Sequence, residues 1–195
     1  MDLSLILESP RLPLALANER SDAPRVTASD PARRVMTDLR LGPVGMTEGD
    51  APIDVVLATM KRAGVRFLFV ADEAGQLVGS ITSYDIQGEK PMQFLQSSGS
   101  GRRWQEVLVR DIMEPVGAWR VLDERQVDHI TVAQLIGLMV DAGRRHLVVV
   151  ETPRSGTGQL VRGLFSATRI QQLLGVTFDV PGRATTFAEI GRAIG

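Results

Sequence analysis

Apolar positions along the chain recur at two spacings, one near 3.6 residues and one of short continuous runs, and the two appear in the same order twice. In the first pass Ile53, Val56, Leu57, Met60 and Ala63 fall on one face of a helix. Asp50 stands near its N-cap, Pro52 is tolerated in its first turn, and Gly64 ends it. Arg66 to Ala71 is a mostly apolar run suited to a strand buried on both faces. Asp72-Glu-Ala-Gly75 is a hairpin turn, Gln76 to Thr82 the returning strand, and Ser83 to Gln87 begins a second helix.

The second pass repeats this order. Val116 to Leu122 can form a strand, and Thr131 N-caps a helix whose Val132, Leu135, Ile136 and Met139 share a face, with Gly143 as its C-cap. His146 to Glu151 and Gln159 to Ser166 are the next two strands, joined by a longer loop over 152–158. Ala167 to Leu174 is the closing helix, stopped at Gly175. Each pass therefore reads strand, helix, strand, strand, helix.

The residues repeat as well as the pattern. Gln76-Leu-Val-Gly-Ser-Ile-Thr-Ser-Tyr-Asp-Ile86 returns as Gln159-Leu-Val-Arg-Gly-Leu-Phe-Ser-Ala-Thr-Arg-Ile170, with Arg162 inserted. Gly79 then aligns with Gly163, Thr82 with Ser166 and Asp85 with Arg169. Upstream, Met60-Lys-Arg-Ala-Gly-Val-Arg-Phe-Leu-Phe-Val70 lies over Met139-Val-Asp-Ala-Gly-Arg-Arg-His-Leu-Val-Val149, and Val35-Met36 over Ile112-Met113. A period of roughly 80 residues exceeds the 20–50 of solenoid units and points to two copies of a small domain. The chain divides into an arm over 1–32, a first repeat over 33–88, a linker over 89–106, a second repeat over 107–175 and a tail over 176–195. The arm is rich in Pro, Ser, Asp and Arg, with a short strand expected near Leu3 to Leu7. The linker holds a short helix around Pro91 to Gln96, and the tail a capping-box helix opened by Thr186-Phe-Ala-Glu189.

Composition narrows the function classes. With 195 residues, 44% of them hydrophobic and 23% charged, the chain is built like a globular protein able to bury a core. A net charge of -1 argues against nucleic acid, which needs a clustered positive excess. Arginine outnumbers lysine by 20 to 2, a skew read as codon usage rather than as a phosphate-binding set. The absence of cysteine excludes disulfides, thiolate metal sites and a Cys nucleophile. Glu8, Pro10, Arg11 and Pro13 interrupt the apolar N-terminus, so neither a membrane span nor a secretory signal is expected, and the default expectation is a cytoplasmic protein.

A repeat that opens Asp111-Ile112-Met113, carries a helix ending Met-x-x-x-Gly and a strand Arg145-His-Leu-Val-Val-Val150, and closes Gly-h-h-Thr/Ser-x-x-Asp resembles the cystathionine β-synthase (CBS) domain. Two copies resemble a CBS pair, or Bateman module, over about 33–88 and 107–175. The resemblance implies an α+β fold of two βαββα repeats packed about a pseudo-two-fold axis. It also implies two clefts that bind AMP, ADP or ATP, or less often S-adenosylmethionine, and regulate a partner protein.

In that frame Thr82 and Ser80 end a strand at a helix start, where a hydroxyl and free N–H groups can meet a phosphate. Asp85 lies one turn on, and a carboxylate accepts both hydrogen bonds of a ribose diol. Arg66 matches a position that faces phosphates in the family. The plainer reading is that Thr82 and Asp85 only cap the helix. In the second repeat Ser166 keeps the hydroxyl and Arg145 matches Arg66, but Arg169 replaces the acid and cannot accept from a ribose. That cleft either holds an anion between Arg145 and Arg169 or is empty, so at most one ribose-type site is expected.

His146 reads as a core or pocket histidine, and His129 beside Asp128 lacks a partner at ligand spacing, so no metal site is expected. Trp104 and Trp119 could stack on a base, but the preferred reading of both is packing. No phosphate-loop lysine motif, serine elbow or paired-histidine zinc motif supports catalysis. Val55 and Leu138 lie off their helices' main stripes, and the resemblance implies a homodimer through such helices. The leading function is a non-catalytic nucleotide sensor acting on an unknown protein partner. The alternative is a scaffold of the same fold that binds no small molecule.

Overall fold

The computed structural model describes residues 26–99, 101–153 and 158–180. In chain order its strands and helices are β1 (Thr37–Asp38), β2 (Met46–Glu48), α1 (Ile53–Ala63), β3 (Phe67–Ala71), β4 (Leu77–Thr82), α2 (Ser83–Gln87), α3 (Lys90–Ser98) and α4 (Val109–Ile112). They continue with β5 (Glu114–Pro115), β6 (Val121–Asp123), α5 (Glu124–Val127), α6 (Val132–Asp141), β7 (His146–Glu151), β8 (Leu160–Ser166) and α7 (Ala167–Leu174). The expected N-terminal strand and tail helix lie outside the described residues.

The strands form two four-stranded sheets of matching plan. One runs β2-β3-β4-β5 and the other β6-β7-β8-β1. In each, the strand before the long helix pairs parallel with the strand after it, and the remaining contacts are antiparallel. Strand pleating then sorts the side chains. Leu68 and Val70 of β3 face α1 in one core, Leu147 and Val149 of β7 face α6 in another. The alternate residues Phe69, Val148 and Val150 form a third cluster between the sheets. The strand runs are apolar throughout because both their faces are covered.

Each sheet closes with a strand from the other repeat's leading segment. β1, from the start of the first repeat, pairs with β8 (Thr37 with Leu164, Asp38 with Gly163). β5, from the start of the second, pairs with β4 (Gly79 with Pro115, Ser80 with Glu114). The flanking helices cross over likewise. Ala32, Val35 and Met36 belong to the core of α6, α7 and β7, while Val107, Val109 and Ile112 belong to the core of α1, β3 and β4. Matching backbone bonds hold both crossings: Ala32 N–H donates to Ile130 and Val132 N–H to Asp30, as Ile53 N–H donates to Val107 and Val109 N–H to Ala51. The repeats are thus interlocked, and a boundary in sequence does not separate them in space.

This exchange explains the repeated glycine. A Cβ on Gly79 would lie 2.6 Å from the Glu114 carbonyl oxygen and 2.9 Å from the Met113 sulfur, and one on Gly163 would lie 2.6 Å from the Met36 sulfur. Each glycine makes room for the methionine that opens the opposite repeat.

Local expectations are met in part. Gly64 takes φ 66° at the end of α1, and Gly75 φ 76° in the hairpin turn. Thr131 caps α6 in a full capping box with Gln134. Asp50, by contrast, does not cap α1. Its N-cap is Pro52, without a side-chain bond, and the Asp50 carboxylate pairs instead with Arg110 of the crossing segment. Ala63 is exposed although it sits on the predicted stripe. Val116 to Leu122 is not one strand: Val116–Ala118 winds into a 3₁₀ turn and pairing begins only at Val121. Gly143 ends α6 as Gly64 ends α1: it takes φ 61°, its N–H donates to Val140 and the Arg144 N–H to Met139, one residue past the C-cap Ala142.

Candidate functional site

Where the first repeat's β4 runs into α2, a cleft of about 630 Å³ opens between the two repeats. Ser80, Thr82, Tyr84 and Asp85 come to it from the β4–α2 junction, and Lys90 from the first residue of α3. Met113 and Glu114 come from the crossing β5 segment, Trp119 and Arg120 follow it, and Arg144, Arg145 and His146 come from the start of β7. Neither repeat builds this cleft alone.

The local geometry at Asp85 is set by helix capping. Its Oδ2 accepts from the Thr82 N–H at 2.8 Å and from the Thr82 hydroxyl at 2.6 Å, while the Asp85 N–H donates to Thr82 Oγ1 at 3.1 Å. This reciprocal pair satisfies two donors that a helix start otherwise leaves open. The other oxygen, Oδ1, meets Lys90 Nζ at 2.6 Å. Both plain and functional readings of Thr82 and Asp85 are therefore compatible with their placement, because the cap holds the carboxylate at the cleft wall.

Basic groups outnumber acids around the cleft, and most are engaged. Arg144 pairs with Glu114 across the cleft. Arg145 lies 3.3 Å from Asp179 and places its guanidinium 5.1 Å from the centre of the Tyr84 ring. Arg120 has no ion-pair partner among the described residues. Burial holds the His146 imidazole down at about 4, with Asp85 pulling upward and Arg145 and Arg66 adding to the depression. Its ring packs on Phe67 with centroids 5.0 Å apart, so it enters the cleft neutral near pH 7. Trp119 packs on Phe69 at 5.9 Å, and its indole Nε1 is buried without an acceptor among the described residues. Trp104 packs against the first core.

Of the residues singled out in the sequence, Ser80, Thr82, Asp85 and Arg145 come together here. Arg66 does not line the cleft; its guanidinium donates to the Tyr84 hydroxyl at 3.2 Å on the rim. Its position in the second repeat groups Arg145 with Arg169 in sequence, yet it faces Asp85, because the two sheets pack with β3 beside β7. Ser166 and Arg169 lie elsewhere, at the start of α7. Ser166 is its N-cap without a side-chain bond, and Arg169 is exposed with no ion-pair partner among the described residues. The capping box of the first repeat thus has no counterpart in the second. Sequence reasoning does not single out Lys90 or Arg144, and it takes Trp119, which lines the cleft, first as a packing residue. Only Lys90 carried a sequence signal, as one of two lysines in an arginine-rich chain.

Among the described residues, no group of three or more His, Asp or Glu is placed to hold a metal, and no helix is long and apolar enough to cross a membrane.

Residues 32–89 match the family model of the CBS domain. No curated protein matches the chain in sequence. Among solved structures, an uncharacterized conserved protein from Pyrococcus horikoshii has a TM-score of 0.52 at 15% identity, over 79% of this chain and 98% of its own. The CBS-domain containing protein ATU1752 from Agrobacterium tumefaciens scores 0.49 at 18% identity, over 69% and 88%. The CBS-pair protein CBSX2 from Arabidopsis thaliana, in a complex with AMP, scores 0.47 at 18% identity, over 73% and 94%.

Proposed function

A CBS domain at residues 32–89, in a chain with the fold of a CBS pair, is the premise from which we propose a non-catalytic regulatory module that binds an adenine nucleotide in the Asp85 cleft. The observation that carries the reading is the cleft's dual origin. Thr82 and Asp85 come from one repeat and Arg145 and His146 from the other, with acceptors for a ribose on one wall and cations for phosphate on the opposite one. A ligand touching both walls favours one relative placement of the repeats, and a partner that reads this placement is regulated. AMP, ADP and ATP all fit this chemistry. S-adenosylmethionine, itself cationic, fits a wall of arginines less well.

The second cleft, at Ser166 and Arg169, has no carboxylate for a ribose, so one nucleotide per chain is the expected stoichiometry. Val55 and Leu138, 54% and 44% exposed on α1 and α6, are the proposed contacts of a two-fold homodimer. A scaffold without a small ligand remains the competing reading, favoured by one observation: Asp85 is already engaged by Lys90.

Calorimetric titration of AMP, ADP and ATP into the wild type and Asp85→Ala separates the two. The sensor reading expects one site, weakened about tenfold or more in Asp85→Ala, the loss of a charged acceptor for two hydroxyls. Equal affinity in both proteins removes Asp85 from the site, and no binding of any nucleotide leaves the scaffold.

A further inference from the structure

The capping box and the ion pair together leave Asp85 short of acceptor capacity, and this has a consequence for which ligand can enter. A carboxylate offers about four lone-pair positions. Two, on Oδ2, are taken by the Thr82 N–H and hydroxyl at 2.8 and 2.6 Å, and a third, on Oδ1, by Lys90 Nζ at 2.6 Å. One position is left, whereas a ribose diol donates two hydrogen bonds. With the capping box intact, both hydroxyls are accepted once Lys90 moves away.

Displaced from Asp85, Lys90 turns to solvent or to another anion, since its side chain is 42% exposed. Its other near neighbour is the Ile112 carbonyl at 3.4 Å; of the other acids lining the cleft, Glu89 accepts from Gln93 and Glu114 is held by Arg144. A ligand that carries its own anion supplies the missing partner. We infer that Lys90 is a specificity-determining residue of the Asp85 cleft: parked on Asp85 in the empty protein, it transfers to the ligand's phosphate and so admits ribonucleoside phosphates while disfavouring the bare nucleoside. This rests on the nucleotide reading of the cleft.

The exchange is electrostatically even, one Lys–carboxylate contact for one Lys–phosphate contact. The pair it breaks is a weak lock, because Lys90 is 42% exposed and partly exposed ion pairs contribute little. Lysine suits the role, as its point charge on a flexible stem swings between partners without the fixed two-pronged geometry of arginine. Arg145, spread over the Tyr84 ring and bound to Asp179, is less free to move.

The test is calorimetric titration of adenosine and of AMP into the wild type, Lys90→Met and Lys90→Arg, with thermal melts to verify folding. In the wild type AMP is expected to bind at least tenfold tighter than adenosine. In Lys90→Met the ratio falls about tenfold, with adenosine binding more tightly than to the wild type because Asp85 is released. Lys90→Arg keeps the phosphate preference. An unchanged ratio in Lys90→Met, or equal binding of both ligands by the wild type, overturns the inference and leaves the nucleotide reading intact. Failure of both ligands to bind the wild type overturns the two together and is visible in that titration alone.

Discussion

Replacing Gly79 by alanine adds one methyl group at the point where the two repeats cross, and the structure allows its cost to be worked out. The new Cβ would stand 2.6 Å from the Glu114 carbonyl oxygen and 2.9 Å from the Met113 sulfur. The sulfur can rotate away, but the carbonyl belongs to β5, whose pairing with β4 consists of two residue pairs. Overpacking of this kind costs about 1–3 kcal/mol, set against the roughly 0.5–1 kcal/mol that alanine regains over glycine within a strand. The net expectation is about 0–2.5 kcal/mol of lost stability, centred a little above 1, or up to roughly 10 °C in Tm for a chain of this size. Gly163→Ala is the internal control. There the three nearest atoms all belong to the Met36 side chain, the sulfur at 2.6 Å, and a flexible thioether yields more cheaply than a backbone carbonyl. Its net effect should lie within about 1 kcal/mol of zero. Urea denaturation and calorimetric melts of both variants decide the matter. A Gly163→Ala protein destabilised as much as Gly79→Ala would refute the argument that the backbone carbonyl, rather than the methionine, sets the cost.

Further expectations concern pH and assembly. The His146 imidazole has its ordinary pKa of 6.5 in the unfolded chain and about 4 in the folded one, so below pH 6.5 the unfolded state binds the extra proton. Stability is fully present above pH 7, falls as the pH drops from 6.5 towards 4, and His146→Phe should flatten that slope in urea midpoints measured from pH 7.5 to 5. Asp38 and Asp123, each held near 2 by hydrogen bonds from Arg40 and Arg125, keep their contribution until the pH falls below about 4, so they do not mask the histidine's window. For assembly, Val55→Asp combined with Leu138→Asp should convert a dimer to a monomer in sedimentation at unchanged melting of the monomer fold. Monomeric wild type at the 21.2 kDa chain mass would dispose of the dimer.

The sequence made the elements readable where the local signal is chemical. Thr131 with Gln134, Gly75 in its turn and the run His146 to Glu151 each dictate their own conformation. It misled where a local signal has a distant competitor. Asp50 looks like a helix cap, but Arg110, 60 residues away, takes its carboxylate. The four-residue helices α4 and α5 are too short to show a period. The pairing of repeats was invisible for a deeper reason. Apolar spacing tells a segment which face to bury, not against which copy, and repeats with the same apolar pattern offer each leading segment two similar docking faces. For the same reason Arg145 was grouped by sequence with Arg169, while packing brings it to Asp85.

The crossing of the leading segments also sets an order for biosynthesis. As the chain leaves the ribosome, residues 46–98 already hold α1, β3, β4 and α2, but the core they surround lacks Val107, Val109 and Ile112, and β4 lacks its neighbour β5. The segment over 32–38 emerges before either sheet is complete and waits longest, since its place is beside β8, more than 120 residues later. Such distant pairings slow folding, because chain entropy is spent before the contact is made. A nascent chain of this protein therefore carries an unfinished hydrophobic surface until β8 has been translated, and the first repeat becomes a finished body only once the second has begun.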